Sequence, residues 1–188
     1  IAEYPEIQFS LKMRLGWENA SECMVLVELL NAIRLSRIAL HARTGKQQYK
    51  GHPDLEAFQG FYELCQHPLY YNGGIESLSD IRQILIRFPL LKGVFIGRGL
   101  LSSPFLAKEF KGNETFLPEQ RMSIYFAFHE ELFSAYSQVL QGETQLLVKM
   151  KTLWEYFLPE TDRKLLKRIK KSTRLQQYTE SVKAIFTS

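Results

Sequence analysis

Four short apolar segments, each followed by a segment with helical character, constrain the fold of this chain more than any other feature. The first shows the pattern most clearly, because apolar and polar residues alternate from residue 7 to residue 15, as in a strand with one buried face. Similar short segments occupy residues 37–40, 69–71 and 93–96. Repeated strand–helix units form parallel sheets with right-handed crossovers, so we predict an α/β fold.

Polar residues recur at the carboxyl ends of these strands, which is where a (β/α)8 barrel carries its binding site. A doubly wound sheet would also satisfy the order of elements. We favour a TIM-type barrel because the polar residues of successive strands converge on one place. Four strands make only half of such a barrel, so we predict a barrel fragment.

From about Thr115 the pattern changes, and helical segments replace strands. Pro118 suits a helix start, and Gly142 and Pro159 suit helix ends. The predicted helices cover residues 118–141, 143–158, 162–171 and 174–186. We therefore predict two domains, 1–110 and 111–188, the second all-helical with aromatic residues mainly in its core.

Four basic or ionisable residues lie at the ends of the first two strands. Lys12 and Arg14 share one face of the first strand, and His41 and Arg43 share one face of the second. Taken alone, Lys12 and Arg14 would fit an ion-pair network inside a barrel, and a single histidine is more often structural than a ligand. The alternative is a site for an anionic cofactor at the barrel mouth.

Glycine follows the third and fourth strands, in residues 72–74 (Asn-Gly-Gly) and 97–99 (Gly-Arg-Gly). Glycine lets the main chain approach a ligand closely, and a helix N-terminus after each turn would offer free N–H groups to a phosphate. The sequence also predicts a capping box between Ser77 and Asp80 at the start of the next helix. These two turns predict a phosphate site.

A basic run covers residues 163–174 (RKLLKRIKKSTR), with seven basic residues and no acidic one. The net charge of the whole chain is only +4, so the clustering is more informative than the total. The run fits a surface that binds phosphate backbones. It fits equally well the solvated face of an amphipathic helix with Leu165, Leu166 and Ile169 inward, and the sequence alone leaves both open.

Composition narrows the class of protein. The chain has 188 residues and is 45% hydrophobic, enough to bury a real core. Cys23 and Cys65 form no CxxC pattern, which argues against a zinc site or a disulfide scaffold and favours a reducing compartment. No apolar stretch reaches the length of a membrane span, and we expect a cytoplasmic protein with no membrane partner. Because the sequence opens on Ile1, we expect it to be a piece of a longer protein.

Six motifs occur in an order and spacing that resemble the C-terminal half of tRNA-dihydrouridine synthases. They are residues 10–16 (SLKMRLG), 41–44 (HART), 48–51 (QYKG), 72–75 (NGGI), 97–99 (GRG) and 103–105 (SPF). The resemblance implies an FMN enzyme with an eight-stranded barrel and a C-terminal helical domain, which uses NADPH to reduce uridine to dihydrouridine in tRNA. This chain would hold the last four βα units of the barrel and the helical domain.

The resemblance also implies roles for individual residues. Lys12 would contact the flavin ring and stabilise negative charge on it, and His41 would lie beside the flavin and its phosphate arm. Arg14 and Arg43 would hold the FMN phosphate or the tRNA backbone. The implied phosphate cradle is Asn72, Gly73, Gly74, Gly97 and Arg98. The implied tRNA contacts of the helical domain are Lys164, Lys167, Arg168, Lys170 and Lys171.

The chain departs from the family pattern in two ways. Gly74 stands where the family usually has aspartate. The first four strands of the barrel and the family's catalytic cysteine are absent, and neither Cys23 nor Cys65 matches the context of that cysteine. We therefore expect this chain alone to be inactive and, with its sheet edges exposed, to self-associate.

Two rival functions remain open at this stage. The first is another FMN-barrel oxidoreductase that acts on a small molecule. The second is a non-catalytic tRNA-binding module, which is physically plausible for a barrel fragment joined to a basic helical domain.

Overall fold

The computed structural model describes residues 4 and 6–187, and in the first half of the chain strands alternate with helices. The elements are β1 (Ser10–Gly16), α1 (Glu22–Asn31), β2 (Arg37–Thr44), α2 (Leu55–Leu64), β3 (Leu69–Asn72), α3 (Leu78–Arg87) and β4 (Gly93–Phe95). The strands pair in the order β1-β2-β3-β4, and all three pairings are parallel. The predicted α/β fold is confirmed, and this sheet with its crossover helices matches part of a TIM barrel.

The register of the sheet aligns one residue from each strand in a single row. Arg14 pairs with His41, His41 with Asn72, and Asn72 with Phe95. Lys12 precedes Arg14 by two residues and therefore lies on the same face, since successive side chains of a strand alternate between faces. The register thus collects the predicted strand-end residues on one face of the sheet.

The opposite face of the sheet packs against the helices and forms the core of this half. Leu15, Leu40 and Tyr71 point into it and are buried. The ring of Phe58 on α2 lies 4.9 Å from that of Tyr71 and 5.0 Å from that of Phe88, in edge-to-face arrangements. Burial raises the pKa of the Tyr71 hydroxyl to about 12. Each such ring contributes about 1.5–3 kcal/mol by burial, so this packing fixes the position of β3.

The first strand starts later than the sequence pattern predicts. The alternation begins at residue 7, but β1 begins at Ser10, whose partner is Arg37, the first residue of β2. Before that point the chain makes a turn in which the Ile7 N–H donates to the Tyr4 carbonyl, and the Ile7 side chain is half exposed. An alternating pattern extends a strand only as far as a neighbouring strand can pair with it.

The second half of the described chain is helical. The helices are α4 (Arg98–Ser102), α5 (Leu106–Gly112), α6 (Pro118–Val139), α7 (Glu143–Leu153), α8 (Arg163–Lys171) and α9 (Leu175–Phe186). By packing, the chain forms two compact units that divide between Gly97 and Arg98. The functional boundary at 110/111 stays a prediction. None of the helices within the described residues is long and apolar enough to span a membrane.

Aromatic residues form much of the core of the helical unit, as predicted. Tyr125, Trp154 and Phe157 are buried, and their rings meet edge to face at 5.1–5.4 Å. Phe126, also expected in the core, is instead 45% exposed and stacks its edge against Phe186 near the chain end. One face of α6 packs into the interior of the bundle, and Phe126 lies outside that face.

A buried polar network crosses this aromatic core. The Trp154 indole N–H donates to the Tyr178 hydroxyl at 3.0 Å, and that hydroxyl lies 2.7 Å from His129 Nε2. His129 Nδ1 lies 3.0 Å from a carboxylate oxygen of Glu130. If the Tyr178 hydroxyl donates to Nε2 and Nδ1–H donates to Glu130, every group is satisfied with a neutral imidazole. Burial lowers the pKa of His129 and raises the pKa of Tyr178.

The helix predicted over residues 143–158 ends earlier, at Leu153. From there the chain turns: the Tyr156 and Phe157 N–H groups both donate to the Leu153 carbonyl. Leu158 has φ 48°, a left-handed conformation that is unfavourable for a residue with a bulky side chain. Proline at 159 disfavours helical geometry at the residue before it, which explains why the helix does not continue to that point.

Candidate functional site

Two cations on the open face of the sheet have no acidic partner among the described residues. Lys12 is exposed and forms no ion pair there. The Arg14 Nη1 donates to the backbone carbonyls of Thr44 at 2.7 Å and Gln48 at 3.1 Å rather than to a carboxylate. The ion-pair network considered for these residues is therefore not formed in this part of the chain, and the face is suited to an anionic ligand.

His41 and Arg43 lie together at the end of β2, and both are buried. Arg43 Nη1 is 3.3 Å from His41 Nε2, and Arg43 Nη2 donates to the Gly51 carbonyl at 3.0 Å. Because a guanidinium only donates hydrogen bonds, this contact requires Nε2 to accept, which leaves the imidazole proton on Nδ1. Arg43 thereby fixes both the tautomer and the orientation of the imidazole.

Tyr49 belongs to the same cluster, although the sequence interpretation gave it no role. Its ring centroid is 6.3 Å from that of His41, and the Arg14 guanidinium carbon lies 5.7 Å from it. The loop that carries it is shaped by Gln48 at φ 53° and Gly51 at φ 65°. The signal was the aromatic residue in the 48–51 motif, but only the folded loop shows that its ring reaches the strand ends.

The Gly73–Gly74 turn follows β3 beside His41. Gly73 has φ 139° and Gly74 has φ 59°. A Cβ atom on Gly73 would lie 3.3 Å from the His41 ring, and one on Gly74 would lie 3.0 Å from Pro53 Cγ. The turn therefore needs glycine both for its backbone conformation and for its close contact with the β2 end.

The start of α3 is capped by side chains of its own segment. The predicted capping box is present, with the Asp80 N–H bonded to Ser77 Oγ. The Asp80 carboxylate also accepts from the N–H groups of Ser77 at 2.8 Å and Glu76 at 3.0 Å. The Asp80 carboxylate therefore occupies part of the positive end of α3, and the capping box takes up three of the N–H groups near the helix start.

At the end of β4, a side chain of β3 bonds to the main chain and a nearby glycine is exposed. The Asn72 amide Nδ2 donates to the Phe95 carbonyl at 2.8 Å, joining β3 to β4 across their last paired residues. Gly97 is exposed, and a Cβ atom there would have no described neighbour within 4 Å. Asn72 thus directs its amide N–H to the protein, while Gly97 leaves space for a ligand.

Arg98 is the first residue of the helical unit and of α4. Its guanidinium carbon lies 5.9 Å from the centroid of the Tyr156 ring. Its position directly after Gly97 in the chain is the reason for the phosphate role that the sequence predicts.

The basic run forms α8, whose start is capped by the Asp162 carboxylate bonded to the N–H groups of Lys164 and Leu165. Ile169 is buried in the bundle core, and Leu165 and Leu166 pack against it. Between α8 and α9 lies an open groove of about 490 Å³. It is lined by Lys164, Lys167, Arg168, Lys171, Ser172, Gln177, Glu180 and Ser181. Lys170, the fifth predicted cation, does not line it.

Comparison with known proteins gives the family. A family model described as dihydrouridine synthase matches residues 3–187. The chain belongs to the dihydrouridine synthase family. This confirms the resemblance carried by the six sequence motifs.

Three curated relatives show how much of such a protein the chain spans. A probable tRNA-dihydrouridine synthase of Rhizobium leguminosarum is 35% identical over 54% of this chain and 32% of the relative. Another from Aquifex aeolicus is 35% identical over 56% of the chain and 33% of the relative. A tRNA-dihydrouridine(16) synthase of Haemophilus ducreyi is 30% identical over 55% of the chain and 32% of the relative. The matched part covers about a third of each relative's length.

The residues present fit the phosphate-bearing cofactor of a flavin-dependent oxidoreductase, the class of enzyme that the family indicates. Lys12 and Arg14 supply positive charge without an acidic partner in the described chain, and a Cβ atom on Gly73 would lie only 3.3 Å from the His41 ring, so the turn leaves no room for a side chain there. The two cysteines have the features of structural thiols. Burial raises the pKa of both thiols, and each sulfur donates to a nearby backbone carbonyl.

Proposed function

We propose that this chain is the FMN- and tRNA-binding C-terminal part of a cytoplasmic tRNA-dihydrouridine synthase, with NADPH as reductant and uridine in tRNA as substrate. Bound FMN would supply the hydride that reduces uridine to 5,6-dihydrouridine. The observation that carries the proposal is a pair of cations, Lys12 and Arg14, that have no acidic partner among the described residues and share one face of the sheet. The register aligns Arg14 with His41 and Asn72 on that face. The family match and the relatives' names supply the reaction class.

In this proposal the strand-end residues share the work of holding the cofactor. Lys12 stabilises negative charge on the flavin ring, and His41 orients against the flavin with its Nδ1 proton. Gly73, Gly74, Gly97 and Arg98 form the phosphate cradle. Asn72 contributes by fixing the end of β4, since its amide already bonds to Phe95.

The groove of α8 and α9 is proposed to bind the phosphates of tRNA. Four lysine and arginine side chains line one open groove, and among the described residues Glu180 is the single acidic residue on its wall. Such a surface neutralises phosphates without reading bases, so it would position tRNA rather than select a sequence.

Arg14 and Tyr49 are proposed to meet the substrate strand at the mouth, where Tyr49 offers a ring for stacking. Arg43, for which the sequence implied the same role, is buried and bonded to the Gly51 carbonyl, so it is proposed to hold His41 and this loop in place instead.

The reaction is tested with the longer protein that restores the preceding barrel strands. Unmodified tRNA is incubated with that protein, FMN and NADPH, and dihydrouridine is mapped by mass spectrometry, position 16 first because the Haemophilus relative is named for it. We expect dihydrouridine in tRNA and a large loss of it with Lys12→Met. NADPH oxidation with small enones or free pyrimidines, and none with tRNA, would instead favour the rival small-molecule oxidoreductase.

A non-catalytic module makes a different prediction in the same assay. It would bind tRNA, retain no flavin and form no dihydrouridine even in the longer protein. The isolated 188-residue chain is expected to bind without turning over, because the family's catalytic cysteine has no counterpart in it.

A further inference from the structure

Gln177 lines the groove between α8 and α9, and its side-chain amide is held in one orientation. The Thr173 N–H donates to Gln177 Oε1 at 3.0 Å, and the Thr173 hydroxyl donates to the same oxygen at 3.3 Å. A backbone N–H can only donate a hydrogen bond, so the atom that it meets must be the amide oxygen. The amide nitrogen, Nε2, therefore takes the other position, and it has no hydrogen-bond partner among the described residues.

The remaining uncharged and acidic groups of the groove are bonded within the helical unit. The Ser172 and Ser181 hydroxyls donate to backbone carbonyls at 2.6 Å and 2.7 Å. The Glu180 Oε1 atom accepts from the Gln176 amide at 3.0 Å. The other residues that line the groove are four cations. Gln177 thus adds uncharged N–H donors to a wall whose other donors are positively charged.

An uncharged donor beside cations suits an uncharged acceptor that lies next to phosphates. Lysine and arginine bind phosphate oxygens more strongly than an amide does, because their hydrogen bonds are charge-assisted. In RNA the 2′-hydroxyl of each ribose lies close to the phosphate backbone, and the wide minor groove of an A-form helix displays it to proteins. DNA has the same phosphates but lacks this hydroxyl.

We propose that Gln177 is a specificity-determining residue, whose Nε2 donates to a ribose 2′-hydroxyl of the bound tRNA. The groove would then select RNA over other polyanions, while its cations hold the neighbouring phosphates. This inference rests on the assignment of the groove to tRNA in the proposed function. Because Thr173 already holds the amide oxygen, the side chain loses less freedom when Nε2 bonds to RNA.

The test compares two RNAs that differ only at the ribose. One is an unmodified tRNA transcript, and the other has the same sequence with fluorine in place of every 2′-hydroxyl, which keeps the phosphates and the A-form geometry but accepts hydrogen bonds poorly. Fluorescence anisotropy measures the affinity of the purified chain for each. We expect the parent to prefer the hydroxyl RNA, and Gln177→Leu to lower that preference about two- to tenfold, the size of one neutral hydrogen bond.

Two further variants separate the lost donor from a lost cap and from added charge. Gln177→Glu keeps an oxygen for the Thr173 N–H but has no N–H to donate, so it should lower the preference as Gln177→Leu does. Gln176→Glu adds the same charge one residue earlier, at a position that does not line the groove. It should weaken the binding of both RNAs and leave the preference unchanged.

The outcomes separate the inference from the proposed function. Equal preference in the parent and in Gln177→Glu, or equal affinity of the parent for the two RNAs, would overturn the role of Gln177 and leave the phosphate groove standing, provided that Lys167→Ala still weakens binding. A parent that binds neither RNA, or a Lys167→Ala variant that binds as tightly as the parent, would overturn the groove itself and the inference with it.

Discussion

At the scale of single residues, the two glycines after β3 determine whether the strand end can turn beside His41. Gly74 has φ 59° and Gly73 has φ 139°, so any side chain there is strained. We expect Gly73→Ala and Gly74→Ala each to lower the free energy of unfolding by about 1–2 kcal/mol. Urea denaturation followed by circular dichroism measures the change.

Gly97 provides the matched control for these substitutions. It has no positive φ, and a Cβ atom there meets no described atom within 4 Å. We expect Gly97→Ala to change the free energy of unfolding by less than about 0.5 kcal/mol. If it destabilised the chain as much as Gly74→Ala, the account of the β3 turn would be incorrect.

His129 makes the stability of the helical unit depend on pH. Burial lowers its pKa in the folded state, while the facing groups, the Glu130 carboxylate and the Tyr178 hydroxyl, are satisfied by the neutral imidazole. The unfolded chain therefore binds a proton more readily than the folded chain. Stability is fully present above the unfolded pKa of about 6.5 and decreases as pH falls through that value toward the lower folded pKa.

The pH prediction is tested with His129→Gln, which keeps a polar group in place but cannot titrate. Between about pH 7.5 and about pH 5.5 the parent should lose more free energy of unfolding than this variant does. Parallel pH profiles for the two proteins would show that His129 titrates as it does in the unfolded chain.

At the scale of elements, the cations of α8 fall into two groups: those that line the groove with α9 and those that do not. Lys167 lines the groove with α9, whereas Lys170 does not. We expect Lys167→Ala to weaken tRNA binding and to reduce the slope of log affinity against log salt by about one. Lys170→Ala, which removes the same charge, should leave both quantities nearly unchanged.

Fluorescence anisotropy with labelled tRNA at several salt concentrations measures both variants. Equal losses for Lys167→Ala and Lys170→Ala would mean that net charge alone attracts RNA and that the groove has no special role.

The elements that the sequence predicts best are those with a strong local signal. The alternation around Lys12, the Pro118 start of α6 and the Ser77 cap all appear in the structure. The bounds that fail depend on distant partners. Ile7 has no strand to pair with among the described residues, and α7 stops before the turn near Leu158. Local patterns carry no information about such partners.

The candidate site also has a part that local patterns predict and a part that depends on distant residues. Strand periodicity alone predicts that Lys12 shares a face with Arg14. It predicts the same for His41 and Arg43. The row that joins Arg14, His41 and Asn72 depends on register between strands, which periodicity does not determine. The position of Tyr49 depends on a loop with a left-handed Gln48, which no propensity predicts.

At the scale of the whole molecule, the described sheet ends in open edges at β1 and β4. Unpaired strand edges pair with other chains unless they are covered. The α1 helix beside β1 also exposes Val25 and Leu29. We expect the 188-residue chain to self-associate, with a sedimentation coefficient that rises between about 1 and 100 µM. A monomer throughout that range would contradict this expectation.

The visible absorption spectrum of the purified chain, recorded after incubation with FMN and rapid desalting, shows whether the chain holds the flavin. The account predicts retained flavin bands that are lost in Lys12→Ala combined with Arg98→Ala and kept in Lys170→Ala, because Lys12 is on β1 and Arg98 follows β4, whereas Lys170 is on α8. Flavin absent from the parent chain, and absent also when the preceding barrel strands are restored, would contradict the account and leave a basic helical RNA-binding module.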